Sequence, residues 1–168
     1  MQNTVGQQLA GIAAVGDKSA IRPIFNALAD RLSSQAFNAG TLAIATVTTN
    51  VKLTSLVKLV AGGVYVALAA ADPIYTLVAA NSVSANKSNV MCLYCNAAGT
   101  VSARMGTEAA TVGAVKFPTP PEGSAMIGFL MISAGASVFT GGTTALTGGT
   151  VTVVYTDVIG ASDPSIIL

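Results

Sequence analysis

The chain has 168 residues, which is enough for one domain with a sizeable hydrophobic core but not for two independent ones. Only 9% of its residues are charged, against about 25% in a typical soluble protein, and the formal net charge is +1. The eight basic residues are scattered rather than clustered, so the composition argues against a nucleic-acid partner.

The scarcity of charge predicts that much of the surface is buried against other subunits. Monomeric proteins generally keep their surfaces rich in charge and free of large apolar patches. The alternative is a monomer whose surface is covered by hydroxyl and amide groups. Both interpretations remain open at the level of sequence.

Residues 1–16 resemble an arm that becomes ordered on a partner. Three glycines interrupt any helix there, and the large apolar side chains are Val5, Leu9 and Ile12. A frayed terminus without a role is the alternative. Because this segment contains no Lys or Arg, it lacks the basic start of a secretory signal, and we expect the chain to stay in the cytoplasm where it is made.

Residues 17–40 carry the pattern of an amphipathic helix. Capping residues at Asp17 and Ser19 precede apolar residues at steps of three and four. These apolar residues are Ile21, Ile24, Phe25, Leu28 and Leu32. The pattern ends near Gly40, so the sequence predicts an arm and helix over residues 1–40 and a β domain over residues 41–168.

Beyond Gly40 the sequence predicts a mainly β fold. Runs of β-branched, aromatic and small residues are interrupted every 8–12 residues or so by turn formers, a spacing typical of an antiparallel β-sandwich or barrel, including jelly rolls. The runs are TLAIATVT, VKLTSLVKLV, GVYVALAA, IYTLVAA, NVMCLYCNA, TVSARMG, AMIGFLMISA and TVTVVYTDVI. No second helical pattern separates them, which disfavours a parallel α/β sheet. The proline-rich segment FPTPPEG is expected to lie outside a central ladder.

Two further apolar features have ordinary explanations. Lys58, Gly62, Gly63, Asp72 and Pro73 divide the most apolar stretch into pieces too short to cross a bilayer, so no membrane span is predicted. The glycine pairs of GGTTALTGGT are not followed by the Lys of a phosphate-binding loop. They are interpreted as two tight turns that lead into the last strand.

The sequence offers little for catalysis or metal binding, and no cofactor is predicted. It contains no histidine, the commonest general base and a common metal ligand. Cys92 and Cys95 form a C-x-x-C, but they lie in a strand-like run where residues three apart point to opposite faces. Buried free thiols are therefore favoured over a zinc or redox site. Two S-x-x-K matches, at Ser55 and Ser84, lack the helical context that acyl-enzyme chemistry requires.

The C-terminal stretch AMIGFLMISAGASVFTGGTTALTGGTVTVVYTDVIG resembles a segment of small structural proteins of tailed bacteriophages. The order of its pieces carries the resemblance: an apolar strand, a Phe, a Gly-Gly-Thr-Thr-Ala-Leu turn and a final strand. The resemblance implies a virion component, most like a capsid decoration (cement) protein made in the bacterial cytoplasm. Such proteins typically form homotrimers that bind the major capsid protein with terminal arms. No catalytic residue is implied.

Candidate interface residues follow from this resemblance and from the apolar termini. They are Val5, Leu9, Ile12, Phe25, Phe139, Ile166, Ile167 and Leu168. The alternative function is a tail-fibre or baseplate module that binds a receptor, but such tips usually display aromatic residues and this chain has no Trp. An enzyme is disfavoured by the missing histidine, and a secreted adhesin by the missing signal sequence.

Overall fold

The computed structural model describes residues 33–160, and this part of the chain is mainly β. The ten strands are β1 (Gln35–Ala36), β2 (Leu42–Ile44), β3 (Asn50–Leu53), β4 (Val57–Ala61), β5 (Val64–Leu68), β6 (Ala71–Thr76), β7 (Ser88–Asn96), β8 (Val101–Met105), β9 (Ser124–Ala134) and β10 (Val151–Asp157). The helical element described is a single 3-10 turn, Val112–Ala114.

The strands form three antiparallel sheets. Sheet 1 has the order β1-β4-β5, sheet 2 the order β2-β3-β6, and sheet 3 the order β10-β9-β7-β8. Every strand pair in them is antiparallel. Within residues 33–160 the sheets do not close into a barrel. The predicted antiparallel β class is therefore confirmed, whereas the specific sandwich or barrel architecture is not.

The central strands of sheet 3 are buried on both faces. Along β7, Met91, Leu93 and Cys95 pack into a large core shared with sheets 1 and 2. Their neighbours Cys92 and Tyr94 point the other way, into a smaller core. Strand β9 also contributes side chains to both cores, with the alternation shifted at the irregularity beside Gly128. The smaller core is completed by Val115 and Phe117 from the connection between β8 and β9 and by Val158 beyond β10.

The predicted helix over residues 17–40 is partly outside the described residues and partly wrong. Residues 17–32 lie outside them, whereas Gln35–Ala36 form β1 and pair with β4. Ala36 is fully buried against Leu59, so pairing with β4 outweighs the local helical pattern. Strand β1 therefore belongs to sheet 1 although it lies before residue 41.

All eight predicted strand runs contain strands of the structure. VKLTSLVKLV is divided into β3 and β4, because Thr54 and Ser55 donate their N–H groups to the carbonyls of Thr41 and Gly40. Those hydrogen bonds turn the chain away from the ladder between the two halves of the run. The segment FPTPPEG, residues 117–123, is not part of a strand, as predicted.

The glycine pairs form turns, also as predicted. At the first pair, Thr143 and Thr144 donate to the Thr140 carbonyl, and Gly142 has a φ of +75° that favours glycine. At the second pair, Val151 donates to the Gly148 carbonyl and begins β10. Both turns thus lie in the connection between β9 and β10.

Candidate assembly surface

Sheet 1 has one face toward the large core and the other toward solvent. On the inner face, Ala36, Leu59 and Val66 lie side by side across the three strands and contact the large core. Because successive strand residues point to opposite faces, their sequence neighbours point outward. The Lys58 and Ala67 side chains, paired across β4 and β5, are exposed accordingly.

The last described residues extend this sheet. The Gly160 N–H donates to the Ala36 carbonyl at 2.6 Å in an antiparallel bridge. This bridge places Ile159 beside Phe37 on the outer face. Since β1 follows residues 1–32 and Gly160 precedes residues 161–168, both terminal segments of the chain are attached at one edge of sheet 1.

Four large apolar side chains share the outer face, and we call Phe37, Leu56, Tyr65 and Ile159 the outer patch. Their exposed fractions are 49%, 43%, 58% and 62%, respectively. Leu56 directly precedes β4 and is held near β1 by a hydrogen bond of 2.7 Å from Asn38 Nδ2 to its carbonyl. The strands of sheet 1 contain one charged residue, Lys58. A sheet face with this composition is suited to an apolar contact with another protein.

None of the predicted interface residues is a member of the outer patch. Phe139 is fully buried and forms a bridge with Val83, so its side chain belongs to the large core of this chain. We therefore remove it from the interface candidates. The other predicted residues lie outside the described part of the chain: Val5, Leu9, Ile12, Phe25, Ile166, Ile167 and Leu168.

The two cysteines are buried free thiols on opposite faces of β7, as predicted. Burial raises the pKa of Cys92 to about 12 and also raises the pKa of Cys95. Both thiols stay protonated at neutral pH, which makes them poor nucleophiles and poor metal ligands. Among the described residues, no three His, Cys, Asp or Glu side chains gather into a group that could hold a metal ion.

Asp72 and Asp157 are engaged in structural hydrogen bonds. Asp72 accepts hydrogen bonds from the Thr46 N–H at 3.0 Å and from Thr46 Oγ1 at 2.7 Å, and these contacts lower the pKa of its exposed carboxyl. Asp157 Oδ1 accepts from the Leu42 N–H at 3.0 Å and so joins β10 to β2. Each carboxylate fastens one strand region to another.

Sequence reasoning missed the outer patch because its members are far apart in the chain. Leu56, Tyr65 and Ile159 lie in three different predicted strand runs, and Phe37 lies near the end of the predicted helix. Strand pairing brings them onto one face, and a single sequence carries no direct signal of that pairing. The local signal available was an apolar residue placed next to turn formers.

Compared with known proteins, the chain matches no family model, no curated protein and no solved structure. No helix within residues 33–160 is long and apolar enough to cross a membrane. The functional argument therefore depends on the surface itself.

Proposed function

We propose that the chain is a non-enzymatic structural subunit of a bacteriophage particle, a capsid decoration protein that acts as a homotrimer and stabilises the head lattice. The outer patch is the observation that supports this proposal most directly. It consists of four half-exposed apolar side chains on a face with one charged residue, Lys58, and two of its members, Phe37 and Ile159, lie near the two ends of the described residues. The resemblance of the C-terminal stretch to phage structural proteins supplies the class of particle.

The physical basis would be burial of apolar surface upon assembly. Each patch side chain is about half exposed, so its burial is worth on the order of 1 kcal/mol. A subunit that binds only the assembled shell stabilises it by mass action. Many weak contacts repeated over a lattice then add up to a large stabilisation of the shell, although each contact is weakened by the entropy that the bound subunit loses.

The first experiment locates the chain in the particle. Antibodies raised against the chain are used for immunogold electron microscopy of purified virions of the phage that encodes it. We expect gold over the heads. Gold at the tail tip would instead support the alternative receptor-binding module, and the absence of gold would contradict the virion proposal.

A second experiment tests the outer patch. The double variant Phe37→Lys/Ile159→Lys places charges on the patch, whereas Val138→Lys alters a side chain that is 55% exposed but lies outside it. We expect the double variant to fold but to cosediment with capsids at least about tenfold less than the control variant. Light scattering measures whether the unbound chain has three times the mass of 16.7 kDa. Equal cosedimentation of the two variants would show that the patch is not the binding surface.

A further inference from the structure

Strand β5 is an edge strand that lacks the features with which proteins usually block such edges. It pairs with β4 on one side, and among the described residues no hydrogen bond uses its other side. Its sequence, VYVAL, contains no charge, proline or bulge. Natural proteins generally protect an exposed edge with one of these devices, because a free edge can pair with another chain.

The geometry of the hairpin shows which groups the free edge presents. Gly62 and Gly63 have φ values of +57° and +79°, which fit the type I′ turn of a two-residue hairpin closed by Ala61 and Val64. The closing pair of such a turn is hydrogen-bonded, and hydrogen-bonded pairs alternate along the ladder. The N–H and C=O groups of Tyr65 and Ala67 therefore point away from β4.

The surrounding charges permit a second copy of this strand to approach. Residues 59–71 contain no charged side chain, and Lys58 lies on β4, one strand away from the edge. If two β5 strands paired, the two Lys58 residues would be three strand spacings apart, roughly 14 Å. That separation exceeds the screening length of about 8 Å at physiological salt, so their repulsion is weak.

We propose that β5 pairs antiparallel with β5 of a second copy, about a two-fold axis at Val66, to form a continuous six-stranded sheet. In this register Tyr65 lies opposite the partner's Ala67, which sets a large ring beside a small side chain. The outward N–H and C=O groups of Tyr65 form two hydrogen bonds with those of the partner's Ala67. The two-fold axis repeats this pair, so the contact has four hydrogen bonds. Val64, which is 49% exposed, is covered by the partner's Leu68.

A second copy fits this edge better than an unrelated strand because the sequence complements itself about Val66. The edge carries no charge that would select a different partner. The strand is short, and a stable interface usually buries about 800 Å² on each partner, so this contact alone is weak. Repetition in an assembly would strengthen it. The inference goes beyond the proposed function, since a two-fold contact joins copies in a way that a trimer contact does not.

Disulfide trapping tests the register. Directly opposed residues of a non-hydrogen-bonded pair have Cα atoms about 4.5 Å apart, within the range that a disulfide spans. We expect Val66→Cys to form a covalent dimer under mild oxidation. Val64→Cys is the matched control: it is exposed, but the two copies of residue 64 would be roughly 13 Å apart. Cys92 and Cys95 are buried and do not compete.

A backbone variant tests the hydrogen bonds. In the Val66→Cys background, Ala67→Pro removes an N–H that points outward, which an edge strand tolerates, whereas Ala67→Ser keeps it. We expect the proline variant to lose at least about tenfold in crosslinking rate while retaining a cooperative thermal transition, and the serine variant to crosslink normally. Equal crosslinking of Val64→Cys and Val66→Cys, or no dimer from Val66→Cys, would overturn the proposal. The Val66→Cys result stands alone if the proline variant does not fold. Because the readout is a covalent dimer, it is independent of whether the chain labels phage heads.

Discussion

Two tyrosines of this protein differ in how well their hydroxyl groups are hydrogen-bonded. Tyr94 is fully buried in the smaller core, where its hydroxyl has no oxygen or nitrogen partner and lies beside the Cys92 thiol, a weak hydrogen-bonding group. The Tyr75 hydroxyl donates to Asn81 Oδ1 at 3.2 Å. A buried hydroxyl without a partner loses its hydration and gains nothing in return, whereas a paired one recovers most of that loss.

The first prediction compares the removal of each hydroxyl. Tyr94→Phe should raise the free energy of unfolding by about 1 kcal/mol, and Tyr75→Phe should lower it by about 1 kcal/mol. Urea denaturation at neutral pH measures both. If Tyr94→Phe were as destabilising as Tyr75→Phe, the Tyr94 hydroxyl would have to be paired in solution.

The second prediction concerns alkaline pH. Burial raises the pKa of Cys92 from 9.0 to about 12, raises the pKa of Tyr155 from 10.0 to about 12, and raises the pKa of Tyr94. Below pH 9 these groups are protonated in both states and do not affect stability. Above it the unfolded chain releases protons that the folded chain keeps, so stability falls as the pH rises toward 12. Melting temperatures between pH 7 and pH 11 measure this fall.

Tyr94→Phe provides the control for the alkaline effect. The variant lacks one of the groups with a raised pKa, so its melting temperature should fall less steeply above pH 10 than that of the parent chain. Parallel curves for the two proteins would show that Tyr94 does not contribute to the pH dependence. A parent melting temperature that stays constant to pH 11 would contradict the whole explanation.

At the scale of elements, β9 lies very close to its neighbours β10 and β2 at Gly128. A Cβ atom added there would meet Leu42 Cδ1 and would lie 2.6 Å from the Thr156 carbonyl oxygen on β10. The backbone of a paired strand cannot move aside without disturbing the ladder. The smallest residue therefore allows β9, β10 and β2 to pack together.

The third prediction tests this close approach. Gly128→Ala should lower the free energy of unfolding by about 1–3 kcal/mol, as expected when a packed site is overfilled. Gly113→Ala is the control, because nothing lies within 4 Å of a Cβ added in the exposed 3-10 turn, and it should change stability by less than about 0.5 kcal/mol. Thermal or urea unfolding measures both variants, and equal effects would contradict the packing argument.

The sequence predicts the elements of this fold better than it predicts their arrangement. The eight runs are recognisable because turn formers bound stretches of β-branched and aromatic residues. Strand β1 has two residues, too few for any period, and it was assigned to the end of a helix. The partners of each strand depend on contacts between distant residues, which explains why the outer patch was missed. Phe139 was proposed as an interface residue because of the phage resemblance, which carries no information about burial, whereas the side chain is fully buried beside Val83.

The whole molecule carries few charged residues that could attract a charged partner. Eight basic and seven acidic residues are spread over 168, and among the described residues the outer patch exposes four large apolar side chains. Contacts made through such a surface depend on apolar burial and backbone hydrogen bonds. They should respond to salt very differently from contacts between charges.

The fourth prediction follows from this composition. On the proposal that the outer patch binds the capsid, raising sodium chloride from about 50 to 500 mM should leave cosedimentation unchanged within about twofold, since screening removes little attraction. Ammonium sulfate should strengthen cosedimentation, because excluded salts favour apolar burial. A tenfold weakening in sodium chloride would indicate that scattered charges, and not the outer patch, supply the attraction.

The burial of β7 on both faces also has a consequence for how the chain folds. Both cores contain side chains of β7 and β9, and the pairing of these two strands closes a loop of residues 97–123. Loop closure of this kind delays folding, because its entropy cost comes before the contacts that reward it. We expect truncation of Leu93 to slow folding, whereas truncation of Tyr65 at the sheet 1 edge mainly speeds unfolding. Stopped-flow measurements of the folding and unfolding rates of both variants, over a range of denaturant concentrations, would detect this difference.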